Sequence, residues 1–372
     1  MPSDMDKDPK SRLFESEQMT DISPGKINNG LKSRVSESEQ MTDTAPSSEM
    51  NNNGLSGPLY KVDQVPEHFH ELFILRGYRH PKSSALQCVL SVFDATNETL
   101  NFWTHFLPSC YFLWMLKGLA ETLDFKHDSY TWPLLGYVFS CCIFPLASAV
   151  AHTFNTMSHK ARHICFFLDY AALSVFTLGV ATAYRAYSFP SQLCETWYGR
   201  YFICGAVVNS ILCTATACET RFMKPSLLRK ILRLGAFALP YVYDSVPLMF
   251  RLLFCESDDC GLASTYFHTR QFVFAFLAAF LYTTHLPERF YPGQFDIIGH
   301  SHQLFHVSSI LATFDQLQAI LLDMQQRRVN RLPVWTTTAL HDSINVMMYI
   351  MFINTVIIGL FSLRLLRKTK MM

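Results

Sequence analysis

Charged side chains are scarce in most of this sequence. Only 16% of the 372 residues are Asp, Glu, Lys or Arg, against 49% that are hydrophobic. The charges are also unevenly divided. Residues 1–67 carry 7 Lys/Arg and 12 Asp/Glu, and residues 68–372 carry 24 and 18. A small acidic head therefore precedes a very apolar remainder. This excludes a soluble globular enzyme and a disulfide-rich secreted module, and it favours a polytopic helical membrane protein.

Two further features are missing. The chain has no basic patch of the kind that nucleic-acid-binding proteins carry, so we expect no nucleic-acid partner. No basic segment followed by an apolar stretch opens the sequence, so we expect no cleavable signal peptide.

The first 58 residues lack any apolar period and are rich in Ser, Asn, Asp, Glu, Met and Pro. The polar segment from Lys10 to Asp21 recurs, with small changes, from Lys32 to Asp43, a shift of 22 residues. Such a segment cannot bury enough surface to offset the entropy lost on ordering. We therefore predict a disordered N-terminal tail over 1–58, with a phosphorylated docking segment as the alternative.

Eight apolar runs are long enough to cross a bilayer as helices. They lie at 100–118, 132–153, 164–186, 200–218, 231–254, 266–285, 301–322 and 339–363. We predict an all-α membrane helix bundle. It comprises a juxtamembrane segment over 59–99, a seven-helix core over 100–325, and an eighth helix with a basic C-terminal tail over 326–372. The eighth run is the least typical, because it carries Asp342 and Asn345 near its start.

Lys and Arg in short loops predict the orientation of a membrane protein. These residues precede the first run, follow the eighth, and lie between the second and third and between the fourth and fifth. All four places fall on one side, which we assign to the cytoplasm together with both termini. Arg327, Arg328 and Arg331 disagree, because they follow the seventh run and would lie outside.

Ionisable side chains inside membrane helices are costly and mark functional sites. Ser148 and His152 end the second run, Asp169 lies early in the third, and His302 and His306 open the seventh. Alternation of the helices places all five at the cytoplasmic end of the bundle. His302 and His306 are four residues apart and therefore share one face of a helix.

Three histidines from two helices form the ligand set of a catalytic metal site with one position left for water. A bound metal lowers the pKa of that water to about 7. Asp169 is placed to accept its proton or to orient it, and Ser148 to hydrogen-bond near the site. The alternative is that these polar residues are structural. Asp244 and Arg251, in the fifth run, are expected to pair with each other or with another helix.

Four stretches of the sequence resemble the progestin and adiponectin receptor family, over roughly residues 58–325. They are GYRHPKSSA at 77–85, TNETLNFWTH at 96–105, AHTF…ARHICFFLDY at 151–170, and HLPERFYPGQFDIIGHSHQLFHV at 285–307. The duplicated tail lies outside the resemblance, and nothing is carried over to it.

The resemblance implies zinc on His152, His302 and His306, with Asp169 near the zinc-bound water and Ser148 beside it. It also implies a multi-pass receptor at the plasma membrane. Such a receptor binds a progestin or a related steroid and signals rapidly through heterotrimeric G proteins, with a role in oocyte maturation. The same residues define a wider superfamily of membrane hydrolases, which leaves a zinc-dependent, ceramidase-like lipid amide hydrolase as the alternative. A steroid-regulated hydrolase would combine the two, and either function involves contact with membrane lipid.

Overall fold

The computed structural model describes residues 55–254, 262–330 and 337–370. Within these ranges eight helices of 23 residues or more match the eight predicted runs in order. Their bounds are Thr99–Thr122 (α1), Trp132–Phe154 (α2), His159–Ala183 (α3), Trp197–Glu219 (α4), Leu227–Phe254 (α5), Leu262–Thr284 (α6), Ser301–Asn330 (α7) and Thr337–Lys370 (α8). The prediction of a polytopic all-α membrane protein is confirmed. Residues 1–54 of the predicted tail lie outside the described residues.

Five stretches in the described ranges are long and apolar enough to cross a membrane by length and composition. They are Ser129–Phe154, His159–Ser188, Trp197–Glu219, Ser301–Val329 and Asp342–Arg367. The stretch in α8 is among them, although its sequence looked the least typical. The helices α1, α5 and α6 are not among these five stretches. The first two turns of α5, for example, carry Arg229, Lys230 and Arg233.

The eighth helix packs on the outside of α2, α3 and α4. Its Met347 and Ile350 join a buried cluster with Leu178 of α3 and Phe202 of α4. Near its C-terminus Arg364 donates to Glu219, at the end of α4. The C-terminal end of α8 therefore reaches the end of the bundle at which α4 finishes, called here the inner end.

The juxtamembrane segment covers this inner end. A two-stranded antiparallel sheet pairs β1 (Tyr60–Lys61) with β2 (Arg76–Tyr78), and a short helix follows at Ala85–Leu90. Next to β2, the buried Arg79 donates to the carbonyls of His152 and Thr153, each at 2.7 Å. The segment is thereby fixed to the last turn of α2, where the polar residues of the sequence were expected.

The seventh helix continues to Asn330, eight residues beyond the predicted run and past the predicted boundary at 325. Its last turns contain two of the arginines that disagreed with the charge bias. Arg327 is buried and donates to the carbonyls of Tyr187 and Phe189, and Arg328 pairs with Asp128. The guanidinium groups of Arg327 and Arg328 thus have partners within the protein. This removes much of their disagreement with the orientation that the loop charges predict. Arg331 lies outside the described residues.

A buried ion cluster joins the helices at the opposite, outer end. Both terminal nitrogens of Arg251 on α5 donate to Asp323 on α7, at 2.6 and 2.7 Å. The same carboxylate receives Nε2 of His268 at 2.9 Å and the hydroxyls of Ser188 and Ser264. Arg251 therefore pairs with another helix rather than with Asp244 of its own helix.

Neighbouring helices pack side by side from α1 to α5, α6 packs on α7, and α7 returns to α1. In the described part of the chain, α5 and α6 approach each other little. They are joined at the outer end, where Arg251 bonds Ser264 at 2.8 Å. No hydrogen bond or ion pair between described residues joins the inner ends of α5 and α6, and this break in the ring of helix contacts is called here the lateral opening.

Replacing Asp323 with Ala should strongly destabilise the bundle. The change leaves Arg251, whose side chain is 4% exposed, without its counter-charge. Loss of one partner of a buried ion pair costs about 3–5 kcal/mol. The thermal unfolding midpoint of the purified protein in detergent should fall markedly. Glu195→Ala, which removes an exposed partner of Arg200, should leave the midpoint almost unchanged. Equal midpoints for the two variants would contradict this assignment.

Candidate metal centre

The structure brings the three predicted ligand histidines together at the inner end. His152 lies in the last turn of α2, and His302 and His306 lie in the first two turns of α7. One ligand atom from each lies within 4.8 Å of the other two. The Nε2 atoms of His152 and His302 are 3.3 Å apart. Two nitrogens at about 2.0–2.1 Å from a tetrahedral zinc ion would have roughly this separation.

The other ring nitrogens are held so that Nε2 of two histidines faces the shared centre. Nδ1 of His152 lies 2.6 Å from a carboxylate oxygen of Glu98, which can only accept, so this nitrogen carries the proton. Nδ1 of His306 lies 3.1 Å from the hydroxyl of Thr104, whose own proton goes to the Leu100 carbonyl. A group that hydrogen-bonds the ring nitrogen turned away from the metal is called here a second partner. Such groups orient metal-binding histidines and make them more basic.

Glu98 is the strongest of these second partners. Its carboxylate also accepts from the amide groups of Asn101, at 2.8 Å, and Asn155, at 2.7 Å. Burial favours a raised pKa for the Glu98 carboxyl, but His152, Arg79 and Asn101 hold that pKa well below its usual range. The group is therefore an ionised acceptor that fixes the tautomer of His152.

Asp169 and Ser148 lie beside the histidines and are not part of the ligand group. Ser148 is buried on α2, one helical turn before His152. Asp169 is half-buried on α3 and interacts electrostatically with His152. The roles expected for Asp169 and Ser148, which act on a molecule at the centre, stay predictions.

Sequence reasoning missed two residues, one immediately before α1 and one on it. Glu98 is one, and His105 is the other. The ring of His105 stacks on that of His306 at 3.6 Å between centroids, and it is 4% exposed. Neither of its ring nitrogens has a hydrogen-bond partner among the described residues. Glu98, Asn101 and His105 follow the i, i+3, i+7 spacing of one helix face. This spacing is the signal that could have revealed both residues.

The donor set fits zinc. All three ligands are imidazole nitrogens, which zinc prefers, and the carboxylate of Glu98 on His152 is a second partner of the kind found at zinc sites. A zinc ion on three histidines would keep one open position, at which it would activate water and polarise carbonyl groups. His152, His302 and His306 would hold the ion, and Asp169 would add a carboxylate beside it.

A bundle of eight helices with a histidine cluster at one end is the architecture that the sequence motifs predicted, and comparison with known proteins identifies its class. The model of the Haemolysin-III related family matches residues 93–317. The chain belongs to this family, and the resemblance to the progestin and adiponectin receptors is confirmed.

Several relatives lie within the receptor branch. Membrane progestin receptor gamma of Homo sapiens is 50% identical over 73% of this chain and 82% of its own length. Membrane progestin receptor gamma-B of Danio rerio is 45% identical over 83% of this chain and 94% of its own length. Membrane progestin receptor delta of Homo sapiens is 49% identical over 73% of this chain and 80% of its own length.

Replacing Glu98 with Gln should weaken zinc binding without removing any ligand. Mutation of such second partners lowers metal affinity roughly 10–100-fold. The purified protein should release zinc to a competing chelator at correspondingly lower chelator concentration. Glu121→Gln, an exposed substitution on α1, is the matched control. Unchanged affinity in the Glu98 variant, or unchanged zinc content after triple Ala substitution of the histidines, would contradict the metal assignment.

Proposed function

We propose that this protein is a cell-surface progestin receptor that signals rapidly through heterotrimeric G proteins and carries a zinc ion at its inner end. The names of the gamma and delta relatives support the ligand class, because the match covers most of the membrane-spanning region. In this proposal the chain lies in the plasma membrane with its N-terminus in the cytoplasm, and it acts during oocyte maturation.

The observation that carries the proposal is a group of aromatic rings between the lateral opening and the histidines, called here the aromatic cluster. Each ring is half-buried. The five rings come from α3, α5, α6 and α7, and they are Phe166, Tyr170, Phe237, Tyr282 and Phe305.

The cluster is continuous with the metal centre. Phe166 lies 6.3 Å from the ring of His152, and Phe305 lies 5.7 Å from that of His302. Phe237 is 5.7 Å from Tyr170. Half-buried rings next to an opening in the bundle suit a rigid apolar ligand that arrives from the membrane.

A steroid with terminal carbonyl groups also needs a hydrogen-bond donor. The sequence offers four candidates, namely Tyr170, Tyr184, Arg251 and Gln303. Three of them have their polar groups engaged within the protein. Tyr184 bonds Gln271 and Gln316, Arg251 bonds Asp323, and Gln303 bonds main-chain groups. Tyr170 makes no hydrogen bond to another described residue. It therefore becomes the proposed donor to the steroid.

Replacing Tyr170 with Phe should weaken progestin binding by up to about tenfold. This is the effect of losing one net hydrogen bond of about 0.5–1.5 kcal/mol. Saturation binding of a labelled progestin to the purified, lipid-reconstituted chain measures it. Tyr201→Phe, at an exposed tyrosine, is the matched control and should bind like the parent. Parent-like affinity in the Tyr170 variant would remove this residue from the pocket.

Signalling requires the ligand to favour one arrangement of the helices over another. In this proposal the steroid bridges α3 and α5 across the aromatic cluster and moves the loop between α4 and α5. The loop carries the exposed Lys224 and the first turn of α5 carries the exposed Lys230, and both suit contact with an acidic surface on a G protein.

The second candidate function is a zinc-dependent amide hydrolase that acts on a ceramide-like lipid. The position of Asp169 beside the histidines favours it, because a receptor needs no carboxylate there. Asp169 would take the proton of the attacking water as general base and pass it to the leaving amine. Ser148 would hydrogen-bond at the same place, and the lateral opening would admit the lipid.

Asp169→Asn separates the two functions. On the receptor proposal this variant should keep its zinc content and bind progestin within about threefold of the parent, a difference below about 0.7 kcal/mol. Release of fatty acid from a ceramide should be measured on the same samples. The parent protein could hydrolyse ceramide while the Asp169→Asn variant does not, and neither protein could bind the steroid. That result would favour the hydrolase and contradict the receptor.

A further inference from the structure

Four arginines gather at the inner end, beside the aromatic cluster. Arg162 comes from α3, Arg221 from the loop after α4, and Arg229 and Arg233 from the first two turns of α5. Arg221 interacts electrostatically with Arg162 and Arg233, and Arg229 with Arg233. They form one group of like charges, called here the arginine cluster.

The cluster has an excess of positive charge. Glu71 is the one carboxylate among the described residues that pairs with it, by a bond to Arg162. Arg221, Arg229 and Arg233 have no acidic side chain at ion-pair distance in the described part of the chain. Four arginines against one carboxylate leave an excess of positive charge, which favours the binding of an anion.

These arginines are not freely solvated loop cations. Arg221 is half-buried, with its guanidinium 4.7 Å from the centre of the Phe166 ring and its Nε 3.4 Å from Nδ1 of His163. Arg233 donates Nε to the hydroxyl of Thr220 at 3.1 Å. Both guanidiniums are fixed through Nε, so their terminal nitrogens remain available. Cations that serve only to set topology need no such anchoring.

The surface next to the cluster is apolar and exposed. Leu227, Leu228 and Ile231 lie on the same two turns of α5 as Arg229 and Arg233, and all three are exposed. Leucine and isoleucine interleaved with arginine at the start of a membrane helix suit the boundary between lipid head groups and acyl chains. An anion at this place therefore has apolar chains as neighbours.

We propose that the arginine cluster binds the phosphate head group of an anionic phospholipid of the inner leaflet, at the rim of the lateral opening. Arg221 and Arg233 contact the phosphate from two sides, and the acyl chains lie along Leu228 and Ile231. Planar guanidiniums pair with phosphate oxygens through two parallel hydrogen bonds, which suits a phosphate head group. The site does not depend on whether a steroid or a ceramide enters the opening.

The test compares two double variants that remove the same charge from the same region. Arg221→Gln/Arg233→Gln acts on the cluster, and Lys224→Gln/Lys230→Gln acts on exposed lysines in the same loop and first helical turn. The affinity of the purified full-length protein for short-chain phosphatidic acid is measured by native mass spectrometry, with phosphatidylcholine as the neutral probe. Thermal unfolding midpoints check that both variants are folded.

The arginine variant should lose phosphatidic acid affinity by roughly 10–30-fold, since each cation near a lipid head group contributes about 1 kcal/mol. The lysine variant should stay within about threefold of the parent, and phosphatidylcholine binding should not change. Arg221→Lys/Arg233→Lys should recover only part of the affinity, because lysine cannot pair through two parallel bonds.

Three outcomes would overturn the proposal. Equal losses in the arginine and lysine variants would mean that only the net charge of the region matters. Displacement of the lipid by inorganic phosphate at equal concentration would mean that the site takes soluble phosphate, with no contribution from the acyl chains. Unchanged affinity in a folded arginine variant would place the anion elsewhere.

Discussion

Polar groups buried within a membrane bundle must find their partners inside the protein, because no water is available in the hydrocarbon core. This constraint shapes both ends of the molecule. At the outer end Asp323 receives Arg251, His268 and two hydroxyls, and it thereby ties together α3, α5, α6 and α7. At the inner end Glu98 performs the same task for α1 and α2 through His152. The two clusters fix how the helices lie relative to one another.

The lateral opening follows from where these clusters lie. Arg251 joins α5 to α6 at the outer end, and no comparable bond joins the inner ends of these helices in the described ranges. In the proposed function, an apolar molecule enters the inner half of the bundle from the membrane without breaking a buried ion pair. Aromatic rings, the proposed zinc site and the arginine cluster surround the place where such a molecule would enter.

The eight helices and the histidine cluster could be predicted, because hydropathy and the i, i+4 spacing are local properties of the sequence. The residues with which the buried polar side chains pair could not be predicted. Arg251 pairs with a residue 72 positions away, and Arg327 with carbonyls about 140 positions away, so neither pairing leaves a local pattern. Glu98 and His105 were missed for another reason. The first run was judged by its apolar residues, although its polar residues follow helical spacing on one face.

The most direct test of the central claim is photoaffinity labelling of the reconstituted chain with a photoreactive progestin, followed by peptide mapping. The account predicts labelling of the inner halves of α3, α5 and α6, around Tyr170, Phe237 and Tyr282, and competition by excess unlabelled progestin. The account would be contradicted if unlabelled progestin did not reduce the labelling. It would also be contradicted if the labelling that progestin does reduce were confined to the outer end around Arg251.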